Sequence, residues 1–180
     1  MAKFNTQLMK QIYFDSAATT QVRDEVIDKM VTVLKEHYGN ASSSHGYGRE
    51  SKSILELARK NIARHLNVSA GEIVFTSGGT EADNLVLRSC VRDLDIQNII
   101  ISRIEHHAVL HSAEQLADEY GTNIIYVDLD EKGGINLSHL EELLKSTENT
   151  LVSLMHVNNE IGNLLDIRTV AKLCKDHGAL

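Results

Sequence analysis

Three short segments carry residue types that can hold an anion, move a proton and hydrogen-bond a polar oxygen. The first, Thr76-Ser77-Gly78-Gly79-Thr80-Glu81, sets two glycines and a threonine where an apolar run gives way to a helical pattern. Glycines let backbone approach a ligand, the first N–H groups of a helix lack intrahelical acceptors, and a hydroxyl adds one more donor. That combination is an anion cup. It has neither the Gly-Lys-Ser/Thr ending of a Walker A loop nor the G-x-G-x-x-G spacing of a dinucleotide site. The second segment, Ser102-Arg103-Ile104-Glu105-His106-His107, places two adjacent histidines after a β-branched run. An imidazole there can stack on an aromatic ligand or shuttle a proton near neutral pH. The third, His156-Val157-Asn158-Asn159-Glu160-Ile161-Gly162, offers two amides suited to a phenolic oxygen or to holding a turn. Each segment alone also fits a plain structural role: a capping threonine, a helix-terminal histidine, a turn-forming asparagine.

The elements that must position these segments follow from hydrophobic periodicity. Residues 72–76, 98–102, 123–127 and 150–157 are β-branched-rich runs that predict buried strands. Between them lie amphipathic patterns. Val22, Val26, Met30, Val33 and Leu34 share one helical face, and Ile54, Leu55, Ala58, Ile62 and Leu66 share another. Val109, Ala113, Leu116 and Tyr120 mark a further helix that Gly121 should end. Ser138-His139-Leu140-Glu141 matches a capping box, Asp166 can cap the last helix, and Gly178 can stop it. Alternating strands and helices predict an α/β fold, a mainly parallel sheet with helices on both faces. Ligands in such sheets gather beyond the carboxyl ends of the strands, where the three segments fall. Together they suit a flat, aromatic, phosphorylated ligand.

Composition narrows the partners. Among 180 residues, 42% are hydrophobic and 24% charged, as expected of a folded globular chain. The formal charge of -7 and the lack of a basic stripe argue against nucleic acid. No apolar run approaches the ~20 residues of a membrane span, and Met1 to Gln7 lack the apolar core of a signal peptide, so a cytoplasmic protein is expected. Cys90 and Cys174 stand far apart in helical patterns, without metal-ligand spacing, and read as inert thiols.

The segments also carry a resemblance. Tyr13-Phe14-Asp15-Ser16-Ala17-Ala18-Thr19-Thr20, Gly39-Asn40-Ala41-Ser42-Ser43-Ser44-His45 and Phe75-Thr76-Ser77-Gly78-Gly79-Thr80-Glu81-Ala82-Asp83-Asn84 run in order along the chain. Glu105-His106-His107-Ala108-Val109-Leu110 and Met155-His156-Val157-Asn158-Asn159-Glu160-Ile161-Gly162 follow them. The set resembles the cysteine desulfurases, in the class V aminotransferase group of fold type I pyridoxal-phosphate enzymes. The resemblance implies residues 1–20 as an N-terminal segment and 21–180 as the N-terminal part of the large cofactor domain. It implies pyridoxal 5′-phosphate as cofactor, held at its phosphate by Gly79 and Thr80. His106 would stack on the ring and assist proton transfers, and Asn159 would hydrogen-bond the phenolic oxygen. Ala17, Ala18 and Thr19 would line the substrate side. His45 lies in a matching motif without an assignable role.

For the complete protein the resemblance implies conversion of L-cysteine to L-alanine. Sulfur would pass as a persulfide to an acceptor protein for iron–sulfur clusters or thiolation, within a homodimer. Selenocysteine lyase or another class V enzyme is the near alternative; a non-catalytic binding module is the distant one. The family's Schiff-base lysine, persulfide cysteine and pyridinium-pairing aspartate have no counterpart in these motifs, so the 180 residues alone are expected to be inactive. Where the family pattern often has proline, this chain has Gln21, Ala41 and Asp166, and it contains no proline at all.

Overall fold

A computed structural model describes residues 12–180, in two units that divide between Phe75 and Thr76. The reading of Met1 to Gln7 lies outside the described residues. In the first unit, α1 (Asp24–Glu36) and α2 (Gly46–Leu66) are joined by a turn in which Asn40 Oδ1 accepts from the Ser42 N–H at 2.9 Å. Gly48 is required there, because a Cβ would overlap the carbonyl oxygens of Ser43 and Asn40. The apolar faces read from periodicity are present, with only Val33 and Ile54 of the named residues on them half-buried. Val26, Met30 and Leu34 on α1, and Leu55, Ile62 and Leu66 on α2, are all exposed. Periodicity reports which face is apolar, not whether anything packs on it.

The second unit carries α3 (Gly79–Asp93), β1 (Asn98–Ile101), α4 (His107–Tyr120), β2 (Asn123–Tyr126), α5 (Leu137–Ser146), β3 (Thr150–Ser153) and α6 (Ile167–Asp176). The three strands are parallel in the order β2-β1-β3, with Ile99 opposite Ile124 and Leu151. Side chains alternate across the central strand. Ile99 and Ile101 pack with Leu87 and Val91 of α3 and with Val109, Ala113 and Leu116 of α4. Ile100 turns to the other face, against Leu140 and Leu144 of α5 and Val170 and Cys174 of α6. The three isoleucines are wholly buried, each contributing about 1.5–3 kcal/mol of transfer energy. The parallel sheet with helices on both faces is therefore as the alternation predicts.

Three local readings are corrected. Residues 72–76 do not form a strand: Ala70–Glu72 is a 3-10 turn, and Ile73 to Phe75 run on without ladder pairing. The Arg59 guanidinium instead binds the Ile73 carbonyl and lies 4.8 Å over the Phe75 ring. A β-branched run favours extended backbone, but a strand needs a neighbour to pair with. The strand predicted over 150–157 ends at Ser153, because the Met155 N–H donates to the Glu105 carboxylate rather than to β1. The cap of α5 is Asn136, whose Oδ1 accepts from the His139 N–H at 3.1 Å, so Ser138 lies inside the helix. A capping box does occur, at Ser69 and Glu72.

Other ends match. Gly121 closes α4 at φ 71°, and Gly178 follows α6 at φ 71°. Asp166 accepts from the N–H groups of Arg168 and Thr169, giving the position where the family pattern often has proline a capping role.

Candidate active site

The anion cup is built by the start of α3. Gly78 is the N-cap and Gly79 the first helical residue. Ala82 N–H makes the first intrahelical bond, to the Gly78 carbonyl, so Gly79, Thr80 and Glu81 present their N–H groups outward. The Thr80 hydroxyl donates to no acceptor among the described residues. Glu81 folds back to accept from the Ser77 N–H at 2.6 Å, and hydrogen bonding by Ser77 holds its carboxyl below the ordinary range. A Cβ added at Gly78 or Gly79 would meet no atom within 4 Å, so the space over the cup is open.

His106 is the N-cap of α4, and its Nδ1 accepts from the Ala108 N–H at 3.0 Å. That bond assigns the neutral imidazole's proton to Nε2, on an exposed ring. His107 stacks instead on His111, with centroids 5.1 Å apart. The residue before His106 is the anchor. Glu105 is buried, accepts from the Ser102 hydroxyl at 2.5 Å and from the Met155 N–H at 3.3 Å, and so ties the ends of β1 and β3 together. Burial pushes its carboxyl above the ordinary range, against the lowering effect of those hydrogen bonds.

The two asparagines divide their work. Asn158 is buried: its Nδ2 donates to the Ile104 carbonyl at 2.9 Å, and its Oδ1 accepts from the N–H groups of Glu160 and Ile161. It fastens the loop after β3 to the connection that carries His106. Asn159 is exposed, its amide donating among the described residues only to Glu160 Oε1, at 2.9 Å.

The cup joins the other two segments through the packing of α3 on α4. Asn84 Nδ2 donates to the Thr80 carbonyl at 2.8 Å, and Asn84 Oδ1 accepts from Ser112 Oγ at 2.8 Å. Thr80, His106 and Asn159 thus belong to three hydrogen-bonded segments beyond the strand ends of one sheet. Ala17, Ala18 and Thr19 belong to the first unit, in a turn where the N–H groups of Ala18 and Thr19 both donate to the Asp15 carbonyl. His45 caps α2, accepting from the Gly48 N–H at 3.4 Å.

Glu105, Asn158, Asn84 and Ser112 escaped sequence reasoning as supporting residues. For Glu105 one signal existed, a carboxylate in the short connection that follows a strand buried on both faces. A cavity of about 180 Å³ beyond β1 and β3 is lined by Ser102, Glu105, Met155 and Asn158, the supporting residues rather than the candidates themselves.

The Aminotransferase class-V family model matches residues 12–180. The chain belongs to that family. A putative cysteine desulfurase IscS 1 of Bacillus subtilis (strain 168) is 40% identical over 174 residues, 95% of this chain and 45% of the relative. The solved structure of a NifS-like protein superposes with a TM-score of 0.86 at 38% identity, over 92% of this chain and 46% of that one. SspA in complex with cysteine superposes with a TM-score of 0.85 at 30% identity, over 93% and 48%. The chain therefore spans about half the length of the relatives it matches. Members of the family use pyridoxal phosphate, and the residues present fit it. Free donors and open space suit a phosphate, and an exposed imidazole and amide suit an aromatic ring with a phenolic oxygen. No helix among the described residues is long and apolar enough to cross a membrane.

Proposed function

We propose that the protein to which this chain belongs is a pyridoxal-phosphate-dependent cysteine desulfurase, converting L-cysteine to L-alanine and passing sulfur on as a persulfide. The observation that carries this reading is the linkage of the cup, the imidazole and the amide at one end of a parallel sheet. The identity to a named desulfurase supports it. The N–H groups of Gly79, Thr80 and Glu81, with the Thr80 hydroxyl, would hold the cofactor phosphate. Asn159 would donate to the phenolic oxygen. His106 would lie on the ring and hold a donatable proton at Nε2, its Nδ1 being engaged by Ala108. When bound, the cofactor supplies an electron sink for carbon acids. Ala17, Ala18 and Thr19 would face the substrate.

The Schiff-base lysine, the persulfide cysteine and the aspartate paired with the ring nitrogen are assigned to the part of the family length that this chain does not span. Turnover therefore belongs to the full-length protein, as a cytoplasmic homodimer delivering sulfur to an acceptor protein for iron–sulfur cluster assembly or thiolation. The test is to load the full-length protein with pyridoxal 5′-phosphate and follow L-cysteine. Equal yields of alanine and transferable sulfur are expected. A protein that takes up no cofactor, or that makes no alanine from cysteine, would refute the reading.

A further inference from the structure

Between α3 and α4 runs a polar brace at the edge of an apolar contact, with Ser112 buried and Asn84 half-buried. Ser112 is 4% exposed, and its hydroxyl lies 2.8 Å from Asn84 Oδ1 and 2.5 Å from the Ala108 carbonyl, sharing its proton between them. Asn84 in turn donates to the Thr80 carbonyl at 2.8 Å, and the Ala108 N–H donates to His106 Nδ1 at 3.0 Å. These hydrogen bonds, connected through the backbone of Ala108, join the first turn of α3 to the N-cap of α4.

The surrounding packing does not explain it. Leu87 and Val91 against Val109, Ala113 and Leu116 give non-directional adhesion, which a small slide or rotation of one helix would barely change. The Arg88–Glu119 pair lower down, 3.0 Å apart, is partly exposed and weakly constraining. Directional bonds are lost on a shift of about 1 Å, so they set register where apolar contact cannot.

We infer that Asn84 and Ser112 are positioning residues that hold the phosphate cup and the His106 ring at a fixed separation. This rests on the cofactor reading above. The brace presets the span between phosphate donors and imidazole, so that a phosphorylated aromatic cofactor meets both at once. Neither residue would need to touch the cofactor.

The test uses the full-length protein and the variants Ser112→Ala, Ser112→Thr and Asn84→Ala. Three quantities are read: the dissociation constant for pyridoxal 5′-phosphate, the absorbance band of the bound cofactor, and the ¹⁵N signals of the His106 ring in cofactor-free protein. Loss of one hydrogen bond predicts affinity weakened about 3- to 10-fold in Ser112→Ala and Asn84→Ala. A displaced absorbance band and shifted ring signals should accompany it, with Ser112→Thr close to wild type because it keeps the hydroxyl. Variants that melt earlier but retain affinity, absorbance and ring signals would show a purely structural brace and overturn the inference. Failure of the wild type to bind the cofactor would instead sink the desulfurase reading. The ring signals then decide the brace by themselves: unmoved signals in Ser112→Ala refute it, and shifted ones uphold the coupling.

Discussion

Ser102 donates its hydroxyl proton to Glu105 Oε1 across 2.5 Å, and both residues are buried where β1 ends. The same carboxylate oxygen accepts from the Met155 N–H at the end of β3. Replacing Glu105 with alanine strands both donors, which should cost about 1–3 kcal/mol of stability in urea unfolding. An Ala variant as stable as wild type would mean the two strand ends do not depend on this carboxylate.

The same group predicts a pH dependence. Burial, with a smaller push from Asp83, raises the folded-state value above the ordinary 4.5. Folding therefore favours the protonated form. The stability this confers is complete below about pH 4.5 and is lost as pH rises through the folded value. Glu105→Gln does not titrate, so its stability relative to wild type should rise from pH 4 towards neutrality. Unfolding curves that stay parallel for the two proteins across that range would contradict the assignment.

Asn158 and Asn159 are adjacent but should fail differently. Asn158→Ala removes a donor to the Ile104 carbonyl and an acceptor for two loop N–H groups. A loss of about 2 kcal/mol or more is expected, together with weaker cofactor affinity in the full-length protein. Asn159→Ala should weaken affinity with little change in melting, because its exposed amide bonds the neighbouring Glu160. Equal melting of both variants would refute this division.

How much of this was legible in the sequence depends on whether the deciding contact is local. The unbroken run Ile99-Ile100-Ile101 declares a strand buried on both faces, and two helical layers follow from it. Gly121 and Asp166 were readable as helix ends because caps act within one turn. The strand over 72–76 failed because propensity cannot supply a pairing partner, and the run beyond Ser153 because a carboxylate 50 residues away captured the Met155 N–H. The candidate site residues Gly79, Thr80, His106 and Asn159 were visible as chemistry-bearing types. Their supports were not: Ser112 and Asn84 meet across 28 residues, and nothing in either local sequence announces it.

The two thiols should be poor nucleophiles. Burial raises the pKa of Cys90 in α3 and of Cys174 in α6, which lowers the thiolate fraction at neutral pH. Both are expected to alkylate more slowly with iodoacetamide in native protein than in urea. In full-length protein turning over cysteine, persulfide labelling should spare both. Persulfide on Cys90 would show that the sulfur acceptor lies in this chain after all.

His106 combines two roles that substitution can separate. As N-cap it accepts the Ala108 N–H, and as an exposed ring it offers Nε2 to a ligand. His106→Ala loses both, and should cost about 0.5–2 kcal/mol of stability as well as turnover. His106→Asn keeps a good capping oxygen without an imidazole, so stability should stay near wild type while alanine formation from cysteine falls. The tautomer gives a direct check in cofactor-free protein: ¹⁵N–¹H spectra should place the neutral ring's proton on Nε2. If the Asn variant turned over at the wild-type rate, His106 would be a helix cap and nothing more, and proton transfer would have to be sought elsewhere in the protein.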